Sequence, residues 1–172
     1  MGFVLLLGGA RSGKSSLAVR LAADSGAPVT FIATAAPGDA EMADRIRAHR
    51  EERPGGWTTI DAPADLLAAI SAEAADEFLV VDCLTLWVSN LLGEGVGADE
   101  VKLAAGRVAE SMARRRGVVV SNEVGLGIVP ANDLARAFRD VLGSVNALFA
   151  ERAERALFLV AGRAIELSAA SW

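Results

Sequence analysis

Between an apolar run, Phe3 to Leu7, and a stretch of helical period stand eight residues that constrain this chain more than any others: Gly8-Gly9-Ala10-Arg11-Ser12-Gly13-Lys14-Ser15. They fit G-x-x-x-x-G-K-[ST], in the strand-before, helix-after context that gives the spacing its meaning. Glycines let backbone N–H groups turn toward phosphate oxygens, a lysine reaches the β and γ oxygens, and a hydroxyl ligates magnesium. Lys14 and Ser15 suit the last two tasks, and Ser16 follows them on the first helical turn. The bland alternative is a Gly-rich turn matching by chance. Only two lysines occur, Lys14 and Lys102, against fifteen arginines, and one of the two stands where the motif requires it.

Such a loop joins a buried strand to a helix, and the rest of the chain carries the same alternation. Apolar runs without period-2 alternation predict strands at Phe3 to Leu7, Val29 to Ala33, Phe78 to Asp82, Gly117 to Ser121 and Ala156 to Val160, buried on both faces. Helical spacing predicts helices at Lys14 to Asp24, Glu41 to Glu52, Ala64 to Ala75, Leu84 to Leu92, Asp99 to Arg115 and Asp133 to about Arg155, the last broken near Gly143. The expected fold is α/β, a mostly parallel sheet covered by helices on both faces. Pro54-Gly55-Gly56 and the glycine-rich stretch from Gly93 to Gly97 are turns too short to link domains. The 172 residues fit one domain, with no repeat or low-complexity tract. Arg114-Arg115-Arg116, at a helix end, is expected to complement the macrodipole and stay solvated rather than to bind an anion.

No apolar stretch approaches the about 20 residues that span a bilayer. The N-terminus runs into a strand with neither a basic region nor a cleavage site, which reads as cytoplasmic. The single cysteine, Cys83, cannot form an intramolecular disulfide and is expected to be a buried thiol. A net charge of −5 argues against nucleic acid as a partner, because that affinity comes from a basic surface.

Asp82 closes the apolar run from Phe78 and therefore falls at the carboxyl end of a strand, on the rim where ligands of such sheets bind. It is a candidate metal or water-holding acid; its bland reading is the cap of the following helix. Glu123, just past Gly117 to Ser121, reaches the same rim as a weaker candidate for a base or second metal group. His49 is the only imidazole, and Arg45 and Arg53 lie four residues to either side of it. Neighbouring cations disfavour imidazolium and leave a ring nitrogen free to attack phosphorus, while guanidinium groups bind triphosphate oxygens. Spacing alone favours an ordinary histidine on an amphipathic helix.

Five ordered blocks add to this. The loop is followed by Phe31-Ile32-Ala33-Thr34-Ala35, by Arg45-Ile46-Arg47-Ala48-His49-Arg50, by Asp82-Cys83-Leu84-Thr85-Leu86-Trp87-Val88-Ser89-Asn90-Leu91-Leu92, and by Val119 through Pro130 continuing over Arg136 to Asp140 and Gly143 to Asn146. Together they resemble the adenosylcobinamide kinase/adenosylcobinamide-phosphate guanylyltransferase family over nearly the whole chain. The resemblance implies a RecA-like P-loop fold and a homo-oligomer, trimeric in the family. It also implies two reactions: ATP or GTP phosphorylates adenosylcobinamide, and GTP then donates GMP to a histidine that passes it to adenosylcobinamide phosphate with release of pyrophosphate. By the resemblance His49 carries GMP, Lys14 and Asp82 serve catalysis, and Ser15 and Asp82 hold Mg2+. Gly8, Gly9, Ala10, Arg11, Ser12, Gly13, Ser16, Thr34, Arg45, Arg50, Arg53 and Glu123 complete the nucleotide-binding set. The C-terminal Ala161 to Leu167 departs from the Gly-Leu-Pro-like turn usual at the end of the family's last strand. Two readings remain open beside this one: a small-molecule kinase without nucleotidyl transfer, and a nucleotide sensor without catalysis.

Overall fold

A computed structural model describes residues 2–36 and 54–169. The helix expected over Glu41 to Glu52, and with it Arg45, His49, Arg50 and Arg53, lies outside the described residues. Within them the strands are β1 (Phe3–Gly8), β2 (Val29–Ala33), β3 (Thr58–Asp61), β4 (Phe78–Asp82), β5 (Arg116–Val120), β6 (Arg155–Val160) and β7 (Arg163–Leu167). The helices are α1 (Lys14–Ala23), α2 (Leu66–Ala72), α3 (Leu84–Gly93), α4 (Ala98–Met112) and α5 (Asp133–Arg152).

The seven strands form one sheet in the order β3-β2-β4-β5-β1-β6-β7, parallel throughout except for β7, which runs antiparallel to β6. The continuous apolar runs become the central strands, and all five residues of β2 are buried. Alternate residues feed two cores. Phe3, Leu5, Leu7, Ile32, Leu79, Val81 and Val119 face a layer that includes Leu66, Trp87, Val101 and Phe149 from α2 to α5. Leu6, Phe31, Val80, Val118 and Val120 pack with Ala18 and Ala22 of α1 on the opposite side. Helices therefore cover both faces, as expected. No helix among the described residues is long and apolar enough to cross a membrane.

Three expectations need correction. The last long helix does not break at Gly143: α5 is continuous, because Leu142, Val145, Asn146 and Phe149 are buried around the exposed glycine and outweigh its cost of about 1 kcal/mol. Two edge strands, β3 and β7, were not expected; three of four residues in β3 and all five in β7 are exposed, so neither carries an apolar run. Finally, the arginine run at the end of α4 is not simply solvated. Arg115 donates to the carbonyls of Ile70 (3.0 Å), Glu73 (3.1 Å) and Ala74 (2.6 Å), closing the C-terminus of α2 rather than that of its own helix.

Candidate active site

The strand register lines up Ala33, Asp82, Val120 and Leu6 in one row across β2, β4, β5 and β1. Beyond that row the chain leaves the sheet at four neighbouring points, and the candidate residues gather on this carboxyl rim. Gly8 ends β1 with φ 151°, and a Cβ there would lie 2.4 Å from the Leu159 carbonyl of β6, so only glycine lets the loop start this close to its neighbour. Gly13, at φ 99°, caps α1 without a side chain, and Arg11 at φ 55° adds a second left-handed position. No acidic residue lies in the first turn of α1, so its positive pole is left for an external anion.

Lys14 is 7% exposed and folds back over this loop. Its ammonium donates to the Gly8 carbonyl at 3.0 Å, the Gly9 carbonyl at 2.7 Å and Ser12 Oγ at 3.3 Å. Burial pulls its pKa below the ordinary lysine value, opposed by the charges of Cys83 and Asp82 nearby. Ser12 is buried, and its carbonyl accepts from the Gly162 N–H at 3.0 Å. The β6–β7 turn, Ala161-Gly162 with both residues at positive φ, thus braces the loop from the side. Ser15 follows Lys14 half-buried, and Ser16 is exposed on the same turn.

Asp82 ends β4 two strands from β1, with β5 between. The peptide joining it to Cys83 is cis. Cys83 is partly rather than fully buried; burial and then the Asp82 charge push its thiol up to about 11. Thr34, expected among the nucleotide-binding residues, is fully buried, and its hydroxyl accepts from Cys83 N (2.8 Å) while donating to Cys83 O (2.7 Å). That puts Thr34 beneath the site floor rather than on its surface. Glu123 is half-buried; its N–H donates to the Gly8 carbonyl at 3.1 Å and its carboxylate accepts from the Gly125 N–H. Glu123 therefore stands directly beside the first residue of the loop.

Three residues of this network carried no role in the sequence reading. Asn146, buried in α5, accepts from Ser121 Oγ at 2.6 Å and donates to the Asn122 carbonyl at 3.0 Å. Thr85 Oγ1 accepts from the Asn122 N–H at 2.8 Å. Asn90 Nδ2 donates to the carbonyls of Thr34 (2.8 Å) and Pro63 (2.9 Å). For Asn90 and Asn146 the signal was an asparagine inside an apolar helix, where only a specific partner repays its burial.

The donor set suits magnesium. Ser15 and Asp82 offer hard oxygen groups on one rim, the ligand type that Mg2+ takes together with water and nucleotide phosphates.

Comparison with known proteins matches residues 4–167 to the family model described as cobinamide kinase / cobinamide phosphate guanyltransferase. The chain is 49% identical over 163 residues to the bifunctional adenosylcobalamin biosynthesis protein CobP of Pseudomonas aeruginosa, covering 92% of each. It is 37% identical over 181 residues to the bifunctional adenosylcobalamin biosynthesis protein CobU of Salmonella typhimurium, covering 95% of this chain and 98% of that one. Among solved structures, a protein of Pyrococcus horikoshii OT3 superposes with TM-score 0.56 at 12% identity, over 96% of this chain and 85% of that one. An ATPase of a bacterial type III secretion system gives 0.53 at 13%, over 92% of this chain and 51% of that one. These two likenesses show the fold, a RecA-like P-loop α/β sheet.

Proposed function

Because the chain belongs to the cobinamide kinase / cobinamide phosphate guanyltransferase family, we propose that it performs both reactions of that family at the rim just described. In the first, the loop from Gly8 to Ser15 holds ATP or GTP and the hydroxyl of adenosylcobinamide attacks the γ-phosphorus. In the second, His49 attacks the α-phosphorus of GTP, releases pyrophosphate and carries GMP to adenosylcobinamide phosphate, giving adenosylcobinamide-GDP.

The observation that carries this reading is the convergence of the loop, Lys14 and Asp82 on one edge, with Lys14 held within 3.0 Å of two loop carbonyls and near Asp82. Lys14 is placed to transfer its ammonium from those carbonyls to phosphate oxygens when a nucleotide enters. The α1 N-terminus supplies N–H groups to the same anion. Ser15 and Asp82 would hold magnesium, which supplies positive charge against the phosphoryl oxygens. Glu123, tied to Gly8, is the second acid of the site. Arg11, Arg45, Arg50 and Arg53 supply guanidinium groups for the remaining phosphate charge. We place the protein in the cytoplasm as a homo-oligomer, with the trimer of its family as the expected state.

The test is to incubate the protein with magnesium and GTP labelled in the α-phosphate, denature it, and measure bound label. Acid-labile, alkali-stable guanylyl-protein is expected. Absence of label, with adenosylcobinamide still phosphorylated, would leave a kinase alone.

A further inference from the structure

Asp82 is the last residue of its strand, and Thr34 bonds both the carbonyl and the N–H of the peptide group after it. In the sheet, β2 and β4 pair up to Ala33 and Asp82. Beyond that point Thr34 continues the pairing in two ways: its backbone N–H donates to the Asp82 carbonyl at 3.0 Å, and its hydroxyl bonds both the N–H and the carbonyl of Cys83. Thr34 itself is fixed from behind, because Asn90 of α3 donates to its carbonyl and to that of Pro63 with the same amide nitrogen. Thr34 is fully buried.

We propose that Thr34 is a positioning residue for Asp82, its hydroxyl setting the direction in which the Asp82 carboxylate leaves the sheet toward the metal-nucleotide, with Asn90 locking Thr34 in turn. The inference rests on the reading of Asp82 as the acid that holds magnesium. A carboxylate at a strand end takes its direction from the backbone on either side. A strand end usually leaves that backbone to solvent, where it samples several orientations. Here a side-chain hydroxyl serves as one more rung of the ladder, donating and accepting at once. Valine has nearly the same shape and can do neither, whereas serine keeps both bonds.

The experiment measures binding of a fluorescent GTP analogue with magnesium and with EDTA, for the wild type, Asp82→Asn, Thr34→Val and Thr34→Ser. The gain in affinity brought by magnesium should fall about tenfold in Thr34→Val, as for other residues that orient a ligand to a metal, with affinity in EDTA unchanged. Thr34→Ser should restore the gain, and Asp82→Asn should abolish it. A wild-type gain in Asp82→Asn would overturn both the role of Asp82 and this inference. Loss in Asp82→Asn beside a normal gain in Thr34→Val would overturn the inference alone. So would an equal loss with magnesium and with EDTA in Thr34→Val, or no recovery in Thr34→Ser, since either marks a fold defect rather than a misdirected carboxylate.

Discussion

Cys83 illustrates how the rim alters the chemistry of a side chain that has no assigned task. Burial first, and the Asp82 charge second, raise its thiol from 9.0 to about 11. Because the folded pKa lies above the unfolded one, the native state keeps a proton that the unfolded chain gives up between pH 9 and 11. The resulting stabilisation is complete below pH 9 and is lost as pH rises through 11, worth about 3 kcal/mol in all. In nucleotide-free, magnesium-free protein, alkylation of Cys83 by iodoacetamide should therefore follow an apparent pKa near 11. Denaturation curves for the wild type and Cys83→Ala should converge or cross over the same alkaline window. In Asp82→Asn the thiol should titrate lower, since one of the two main causes has been removed. Rapid alkylation at pH 8 would show that the thiol is neither desolvated nor near a carboxylate. Lys14 moves by the same physics: burial disfavours its ammonium and lowers its pKa, while nearby Cys83 and Asp82 oppose the shift.

At the scale of elements, α2 depends on a side chain from α4's far end. Three carbonyls at the end of α2 accept from the Arg115 guanidinium. Arg115→Ala leaves them without that donor and should cost about 2 kcal/mol in urea denaturation, with Arg115→Lys recovering only part because an ammonium lacks the planar fork. Wild-type stability in both variants would return Arg115 to the solvated role first expected of it. The same contact explains what was legible in the sequence and what was not. The bounds of β2 and β4 were read without error, and those of β1, β5 and β6 within a residue, because buried parallel strands must be continuous apolar runs. Thr58-Thr59-Ile60-Asp61 has one large apolar residue, and Arg163 to Leu167 is wholly exposed, so β3 and β7 exist through pairing with β2 and β6 rather than through local pattern. The loop, Asp82 and Glu123 were legible because strand ends and motif spacing are local. Thr34's bonds to Cys83, Asn90's to Pro63 and Gly162's to Ser12 join residues far apart in sequence, and no window along the chain contains both partners.

For the molecule as a whole, the proposed function requires one nucleotide rim to serve two transfers that differ in which phosphorus is attacked. The loop can hold the triphosphate alike in both, so Lys14→Ala should lower each rate by about a hundredfold or more. Equal turnover in that variant would remove the loop from the chemistry. A histidine carrier distinguishes the reactions instead. On the proposed reading, attack by His49 on the α-phosphorus would form a P–N bond and expel pyrophosphate, with Arg45, Arg50 or Arg53 neutralising charge on the phosphoryl oxygens. Phosphorylation of adenosylcobinamide passes the γ-phosphoryl directly to a hydroxyl and needs no carrier. His49→Ala should therefore accumulate no guanylyl-protein and make no GDP-linked product, yet keep a measurable share of its kinase rate. The bond itself can be typed after denaturation, because a phosphoramidate survives alkali and breaks in mild acid, unlike a serine ester or an acyl phosphate. If His49→Ala still forms acid-labile guanylyl-protein, or yields the GDP-linked product at the wild-type rate, another group carries GMP. If it loses both activities while its fold and GTP affinity persist, the imidazole also serves the γ-transfer, and the two reactions share more than a nucleotide site.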